Sequence, residues 1–373
     1  MPKVIDLFAG VGGLSLGATR AGFELLAAVE KDPVALESHQ KNFPKCRHYS
    51  DDVSNLKGGD LLSRLELKKN ELDGLIGGPP CQGFSVMGRQ NVEDERNDLF
   101  ADFFRLVKEI KPKFFVAENV LGILHTRYDQ IRQKALQIVP NDYVLLSPIK
   151  IKASDYGVPT TRTRVFFIGF NRKYVKNLTE GSFLPSSNIS PVLVKEALKG
   201  LPTEISPDWQ DEEDGWQKYM SLPIKNFFTE RLSGHIPQGV GDLASIHRYS
   251  IKQEVSGCLG TRHSEEMITR FALVEQGGID KRLRSPRLKP DGFCPTIRAG
   301  TGSDKGSYQA IRPIHYDFNR VITPREAARL QGFPDWFIFH RTKWHSFRQI
   351  GNSVSPLLAE QLLTVIFDNL STD

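Results

Sequence analysis

The residues best suited to chemistry lie in the stretch Gly77-Gly78-Pro79-Pro80-Cys81-Gln82-Gly83-Phe84-Ser85. The two prolines cannot donate backbone hydrogen bonds, so a strand or helix must stop there. The apolar run before them, Leu72 to Ile76, reads as a short buried strand. Cys81 therefore falls on a loop just past a strand end, which is where ligands collect in open α/β sheets. A thiol in that place is a candidate nucleophile, and a buried structural cysteine is the competing reading. Glu118 ends a second apolar run, Phe114 to Ala117. If sequential strands neighbour, its carboxylate stands beside the Cys81 strand. Arg162 and Arg164 alternate, which in an extended chain puts both on one face. They read either as a solvated strand edge or as two fixed cations aimed at an anion or a base.

The elements that position these groups follow a strand–loop–helix rhythm. Val4 to Phe8 is apolar and runs directly into Ala9-Gly10-Val11-Gly12-Gly13, after which Leu14 to Ala18 opens a helix that Gly22 can end. Glycines there let a ligand approach the backbone, and the helix start offers free N–H groups. The dinucleotide fingerprint is only partial, because its third glycine position holds Ser15. A second strand, Leu25 to Val29, ends in Glu30, twenty positions after Gly10, the spacing of a ribose-binding carboxylate. Asp32-Pro33 starts a helix. A third strand over Cys46 to Tyr49 leads to Asp51-Asp52-Val53. Three strands ending in glycine or acid outline a pocket for an adenosyl ligand. Leu99, Phe103, Leu106, Val107 and Ile110 recur at helical spacing up to Pro112, and Tyr143–Ile151 with Val165–Phe170 read as two further strands, possible partners in a hairpin.

The bulk numbers agree with such a sheet. The chain has 373 residues, 39% hydrophobic and 25% charged, with a net charge of +5 and a pI of about 8.9. That length holds a full core and two domains. Mild basicity permits a polyanionic partner without requiring one. The four cysteines, Cys46, Cys81, Cys258 and Cys294, have no metal-ligand spacing, so no metal site is expected, and their scarcity fits a reducing compartment. No run approaches the ~20 apolar residues of a membrane helix, and Met1 to Ile5 enters a strand with no leader, so a cytoplasmic protein is expected.

Beyond Asn171 the pattern weakens. Glu265 to Gln276 reads as a helix capped by Gly277-Gly278, followed by Lys281-Arg282-Leu283-Arg284-Ser285-Pro286-Arg287-Leu288-Lys289, a basic run without an acid. Such a run is either a solvated face or a phosphate contact. Leu357 to Leu363 reads as a final helix returning to the first sheet.

Taken together the motifs resemble the DNA cytosine-5 methyltransferase family. Asp6 to Gly13 looks like its cofactor loop, Pro79 to Ser85 its catalytic loop, Glu118-Asn119-Val120 its second catalytic motif, and Arg162-Thr163-Arg164 its paired arginines. Arg320 to Pro334 is similar to a structural motif of the family, and Gln349-Ile350-Gly351-Asn352-Ser353-Val354 to its last motif. The order runs from residue 6 to 354, nearly the whole chain. Two departures stand out. Thr160 takes the place of a glutamine before the arginines, and Lys31 follows Glu30 where some members carry an aromatic that stacks on adenine.

The resemblance implies a doubly wound, mostly parallel α/β sheet of the S-adenosylmethionine-dependent type with a smaller target-recognition domain. The division expected is 1–171 catalytic, 172–342 recognition, and 343–373 returning to the catalytic domain. It implies transfer of a methyl group from S-adenosylmethionine to C5 of a flipped-out cytosine in double-stranded DNA, through a covalent adduct of Cys81 at C6. Cys81, Glu118, Arg162 and Arg164 would be catalytic, with Glu118 on N3 and the exocyclic amine and Arg164 on the base carbonyl. Phe8, Gly10, Gly12, Glu30, Asp52, Val53, Pro79, Asn352, Ser353 and Val354 would hold the cofactor, Glu30 at the ribose and Asp52 at the adenine amine, with Leu99 an extra apolar contact. Gln82, Ser85, Arg262, Arg282, Arg284, Arg287, Thr296 and Arg298 would meet DNA, and the loop from Gly83 to Asn97 would close as a lid. A cytoplasmic, nucleoid-associated monomer protecting host DNA beside a restriction endonuclease is the expected setting. A tRNA cytosine-5 methyltransferase is the nearest rival, against which Phe227-Phe228-Thr229 stands where that branch carries Cys-Phe-Thr. A catalytically inactive DNA-binding homologue is the other.

Overall fold

A computed structural model describes residues 1–80, 98–207, 213–299 and 312–371. Cys81, Gln82, Ser85 and the expected lid over residues 83–97 lie outside the described residues. The central element is a mixed sheet. Its parallel part comprises β1 (Lys3–Leu7), β2 (Glu24–Val29), β3 (Arg47–Tyr49), β4 (Gly74–Gly77) and β5 (Phe114–Val120). Their order is β3-β2-β1-β4-β5, so β4 and β5 are neighbours as sequential adjacency predicts. The helices that connect them are α1 (Gly13–Arg20), α2 (Pro33–Asn42), α3 (Gly58–Arg64) and α4 (Asp98–Ile110), with α5 (Asp129–Leu136) after β5. The sheet continues antiparallel through β6 (Tyr143–Leu145), β7 (Ile149–Lys152) and β8 (Thr163–Asn171), with β8 against β5.

The single strand expected over Tyr143–Ile151 is broken in two. Both pieces pair with β8, Leu145 opposite Gly169 and Ile149 opposite Phe166, so three residues on one arm face two on the other. Pro148 falls in that bulge, where its missing N–H costs no ladder bond. The hairpin is otherwise as the sequence suggests.

Alternation along the strands feeds two cores, as a sheet covered on both faces requires. Val4, Ile76, Val116 and Phe166 point to the side covered by α1, while Ile5, Leu75, Phe115 and Phe167 point to the side covered by α4. The α4 face is aromatic, with Phe100 edge-on to Phe104 and Phe167, and Phe104 edge-on to Phe115, a favoured ring geometry.

The second half is less regular. It holds α6 (Val194–Leu198), α7 (Phe227–Ser233), α8 (Leu243–His247), α9 (Glu265–Ala272), a two-stranded ribbon of β9 (Gln217–Lys218) and β10 (Glu254–Val255), and α10 (Pro324–Leu330). The helix expected to reach Gln276 ends four residues earlier, because the Arg287 guanidinium donates to the Phe271 and Val274 carbonyls at its end. Helix α10 carries two of the buried cations of this half. Arg325 donates to Ser256, Pro334 and Phe337 carbonyls, and Arg329 grips Asp335 through two bonds of 2.8 and 2.6 Å. Buried guanidinium groups survive only when their donors are filled in this way.

Two last helices, α11 (Lys343–Asn352) and α12 (Pro356–Asp368), return the chain to the sheet. The span is long and apolar enough to cross a membrane by composition, but Ser353-Val354-Ser355 breaks it and 72% of its apolar window is buried in the fold. Helix α12 lies on α1 at Gly17, where a Cβ would come within 2.3 Å of the Ala359 Cβ. Only glycine permits that approach.

Candidate active site

The loop expected to hold the cofactor begins where β1 ends. Phe8 and Gly10 both take φ of 57°, and Gly12 takes 101° as the N-cap of α1. The space at Gly10 is open, with nothing within 4 Å of a built Cβ, whereas a side chain at Gly12 would strike the Phe43 ring at 2.3 Å. Gly10 is thus the point at which a ligand can meet bare backbone. At the end of β2, Glu30 accepts from Gly10 N at 2.8 Å and from Asp32 N at 2.7 Å, one bond per oxygen. Each oxygen keeps a lone pair for a hydroxyl. Burial raises the Glu30 pKa from its ordinary value, partly opposed by those two backbone donors. Asp52 accepts from Lys31 Nζ at 2.5 Å and from Ser54 N at 3.1 Å, and the Lys31 bond first, then the Ser54 bonds, hold its pKa down against burial. Lys31 therefore leans toward the expected adenine edge. This donor set fits an adenosyl group: carboxylates for hydroxyls and an amine, a bare glycine, and apolar Phe8 and Val53.

The last loop lies against the start of α1. The Val354 carbonyl lies so near Gly13 that a Cβ there would sit 2.1 Å away. Gln331 holds Ser353 O at 2.9 Å, and Gln349 reaches across to Ser38 Oγ at 2.9 Å and Val34 O at 3.1 Å on α2. Neither glutamine stood out in the sequence. Each lies in a motif, but only the fold reveals which loop each one pins.

A buried polar chain underlies the cofactor loop. Ser15 Oγ donates to Asp6 Oδ2 at 2.6 Å and lies 3.0 Å from His39 Nε2, and His39 Nδ1 lies 2.8 Å from His48 Nε2. Burial, offset by the Ser15 bond and reinforced by Glu30, raises the Asp6 pKa to about 7. Burial and then His48 push His39 well below its usual value. An unfolded aspartate ionises near 3.8. Between about pH 4 and pH 7 the native state therefore holds a proton that the unfolded chain has lost, and stability from this group falls as pH rises through that window. Asp6→Asn removes the titration. Its melting temperature relative to the parent is expected to rise between pH 5 and pH 8, corresponding to a change of up to about 3 kcal/mol; a difference that stays flat with pH would contradict the assignment.

The groups expected to meet the base stand at the ends of β4, β5 and β8. Pro79 and Pro80 follow β4 after Gly78, and Asn119 Nδ2 donates to Pro79 O at 3.4 Å, tying that loop to β5. Glu118 Oε1 lies 2.7 Å from Arg164 Nε, with both side chains largely buried. Gly78 lies within reach of the other Glu118 oxygen, which a Cβ there would approach to 3.3 Å. Carboxylate, guanidinium and the two prolines that precede Cys81 thus converge.

Arg162 does something different from its neighbour. It lies just before β8, so strand alternation does not reach it, and its Nη1 and Nη2 donate to Gly351 O at 2.8 Å and Asn352 O at 3.4 Å. These two bonds tie the segment before β8 to the 351–352 carbonyls. Thr160 likewise turns from the pocket, its hydroxyl donating to Cys294 O at 3.0 Å.

Among the expected DNA contacts, Thr296, Arg298, Arg262 and Arg284 are exposed, and Arg282 is exposed beside Glu266 at 2.9 Å. Arg287 is not available. It is buried, and it donates to Phe271, Val274 and Tyr316 carbonyls and to Asn319. The basic run is a turn closed by Asp280, which accepts from Leu283 N at 2.7 Å and pairs with Arg270 at 2.8 Å.

The family described as C-5 cytosine-specific DNA methylase matches residues 2–368. The type II methyltransferase M.XorII of Xanthomonas oryzae pv. oryzae is 39% identical over 96% of this chain and 82% of its own length. M.DdeI of Desulfomicrobium norvegicum is 33% identical over 99% and 90%. A solved chain described as a DNA modification methyltransferase encoded within a prophage of E. coli superposes with a TM-score of 0.89, at 49% identity, over 99% of both chains. The S. pombe Dnmt2 methyltransferase, at 16% identity, shares the fold with a TM-score of 0.61 over 99% of both chains.

Proposed function

Because this chain belongs to the C-5 cytosine-specific DNA methylase family and is a DNA cytosine-5 methyltransferase of the type II restriction-modification kind, we propose that it works through a covalent Cys81 adduct on a flipped-out cytosine and protects the DNA of its host. The observation that carries the reading is the 2.7 Å Glu118–Arg164 pair beside the Pro79-Pro80 segment. Cytosine C5 is a weak nucleophile. The Cys81 thiolate adds to C6, and the C5=C6 electron pair moves onto C5 as the C–S bond forms. Glu118 binds N3 and the exocyclic amine, and Arg164 donates to the carbonyl oxygen, so the ring can take up the added electrons. When bound, S-adenosylmethionine supplies the electrophilic methyl group that C5 takes. Loss of the C5 proton then restores the C5=C6 bond and expels the thiolate. A base stacked in a duplex cannot reach these groups, so the target is extruded.

Phe8, Gly10, Gly12, Glu30, Asp52, Val53, Pro79, Asn352, Ser353 and Val354 hold the cofactor in this reading. Arg282, Arg284, Arg262, Thr296 and Arg298 meet DNA, while Arg287 and Arg162 serve through the loops they clamp. Residues 1–171 and 343–373 form the catalytic domain and 172–342 the recognition domain. The enzyme acts as a monomer in the bacterial cytoplasm, since one chain carries every motif.

Bisulfite sequencing of plasmid from a host that lacks cytosine methylation and expresses this chain tests the proposal. Protected cytosines confined to one short motif are expected, together with resistance of that plasmid to an endonuclease cutting the same motif. Protein that binds S-adenosylmethionine but leaves DNA unmodified would overturn the reading, and transfer to tRNA would then identify the substrate.

A further inference from the structure

Three segments far apart in sequence meet beside the base pocket. The first is 159–164, which leads into β8. The second is 294–299, which carries the exposed Thr296 and Arg298. The third is 351–354, which closes the cofactor pocket. The first two are laced together through Cys294 N to Pro159 O at 2.9 Å, Thr161 N to Cys294 O at 2.9 Å and Thr160 Oγ1 to the same carbonyl at 3.0 Å. Both Thr160 and Cys294 are fully buried. The second and third touch backbone to backbone. A Cβ on Gly351 would lie 2.6 Å from Ala299 N and 2.8 Å from the Arg298 carbonyl carbon. The first and third are joined by Arg162, whose buried guanidinium spans the Gly351 and Asn352 carbonyls at the end of α11.

The ends of this junction are the two ligand sites. Two residues past Arg162, Arg164 pairs with Glu118. Two residues past Asn352, the Val354 carbonyl presses on Gly13 in the cofactor loop. One residue before Ala299, Arg298 faces solvent where a duplex would be read. A displacement of 298–299 must move Gly351, because no side chain cushions that contact, and a displaced Gly351 must strain or break the Arg162 fork. Close-packed backbone of this kind has few intermediate arrangements.

We propose that Arg162 is a positioning residue that couples DNA engagement by the 294–299 segment to closure of the 351–354 loop on the cofactor, so that DNA and cofactor each tighten the other's binding. The role rests on the DNA methyltransferase reading above. A guanidinium suits it, since its rigid fork fixes two carbonyls at once where an ammonium holds one. Coupling of this kind is reciprocal: the factor by which DNA raises cofactor affinity equals the factor by which cofactor raises DNA affinity.

The test measures that factor in the full chain with S-adenosylhomocysteine, which cannot react, and the duplex that the same preparation methylates. For the parent protein, the affinity for S-adenosylhomocysteine is expected to rise about tenfold or more when the duplex is saturating, and duplex affinity to rise equally with the cofactor product bound. In Arg162→Lys the factor is expected to fall toward one, whatever the change in cofactor affinity of the free protein, because the factor is a ratio taken within one variant. Gly351→Ala, which wedges the 298–299 backbone away, is expected to lower the same factor by a different route and stands in should Arg162→Lys not fold. A parent protein that methylates the duplex but shows no mutual tightening overturns the coupling and leaves the activity intact. A variant that keeps the parent's factor, with weaker binding alone, overturns the role of Arg162 and marks it as merely structural. A parent protein that methylates no duplex overturns the functional reading and this inference with it.

Discussion

Cys81→Ala is expected to abolish methyl transfer, by on the order of 10⁴-fold or more, while cofactor and duplex binding survive. The expectation rests on more than the position of Cys81 after β4. No other thiol can substitute. Cys46, Cys258 and Cys294 are all buried, and burial raises the pKa of each, Cys258 to about 12 and the other two further. A thiol held protonated in an apolar surround is inert as a nucleophile. Transfer of labelled methyl groups to a duplex measures the loss. A duplex with 5-fluorocytosine at the target gives the sharper result, because its C5 has no proton to lose and the adduct persists. The parent is expected to form a denaturant-stable complex with it, and Cys81→Ala none. Retained turnover in the variant would remove the covalent mechanism.

Glu118→Gln is expected to be nearly as damaging, lowering kcat by roughly 10² to 10⁴-fold with little change in duplex affinity. An amide keeps the shape of the carboxyl and can still meet an amine, but it cannot share a proton with N3. The Arg164 guanidinium, 2.7 Å from Glu118 in the parent, then lies beside a neutral group in a buried place. Some stability is expected to go with the ion pair, since breaking a buried pair by removing one charge leaves the other uncompensated. Single-turnover kinetics separates the two consequences: a chemical role lowers the transfer rate at saturating duplex and cofactor, whereas loosened structure shows in the melting temperature. A rate within a few-fold of the parent would exclude Glu118 from the chemistry.

The parts of this molecule that were legible in its sequence are those governed by local rules. Prolines after an apolar run end β4, Asp32 and Pro33 start α2 with the aspartate accepting from Val34 N, and Glu30 lands at the end of β2 where the spacing from Gly10 predicts, with a bond between the two. What the sequence hid depends on partners far along the chain. Arg162 and Arg164 look equivalent as neighbours two apart, yet one grips a carbonyl 189 positions away and the other a carboxylate on the adjoining strand. Arg287 sits in a basic run and reads as a surface cation, yet it is the cap of α9 and is nearly as buried as an aliphatic residue. The Asp6–Ser15–His39–His48 chain was invisible for the same reason. Its members are spread over two strands and two helices, and no periodicity marks a residue that faces another across a layer. Charge type is a weak guide to a side chain's direction whenever a buried carbonyl is available to receive it.

The contact of α12 with α1 has a consequence for how the protein is made. Gly17 is translated almost at once, but the Ala359 that fills the hollow above it is added near the end of synthesis. At roughly 5–20 residues per second the nascent chain waits tens of seconds with the apolar side of its first helix uncovered. The first β-α-β unit therefore leaves the ribosome as an unfinished layer, and the glycine loop that it carries stays without the Val354 carbonyl that packs at Gly13 for the same interval. A chain that stops before residue 343 therefore carries the glycine loop after β1 without α12 or Val354 against it.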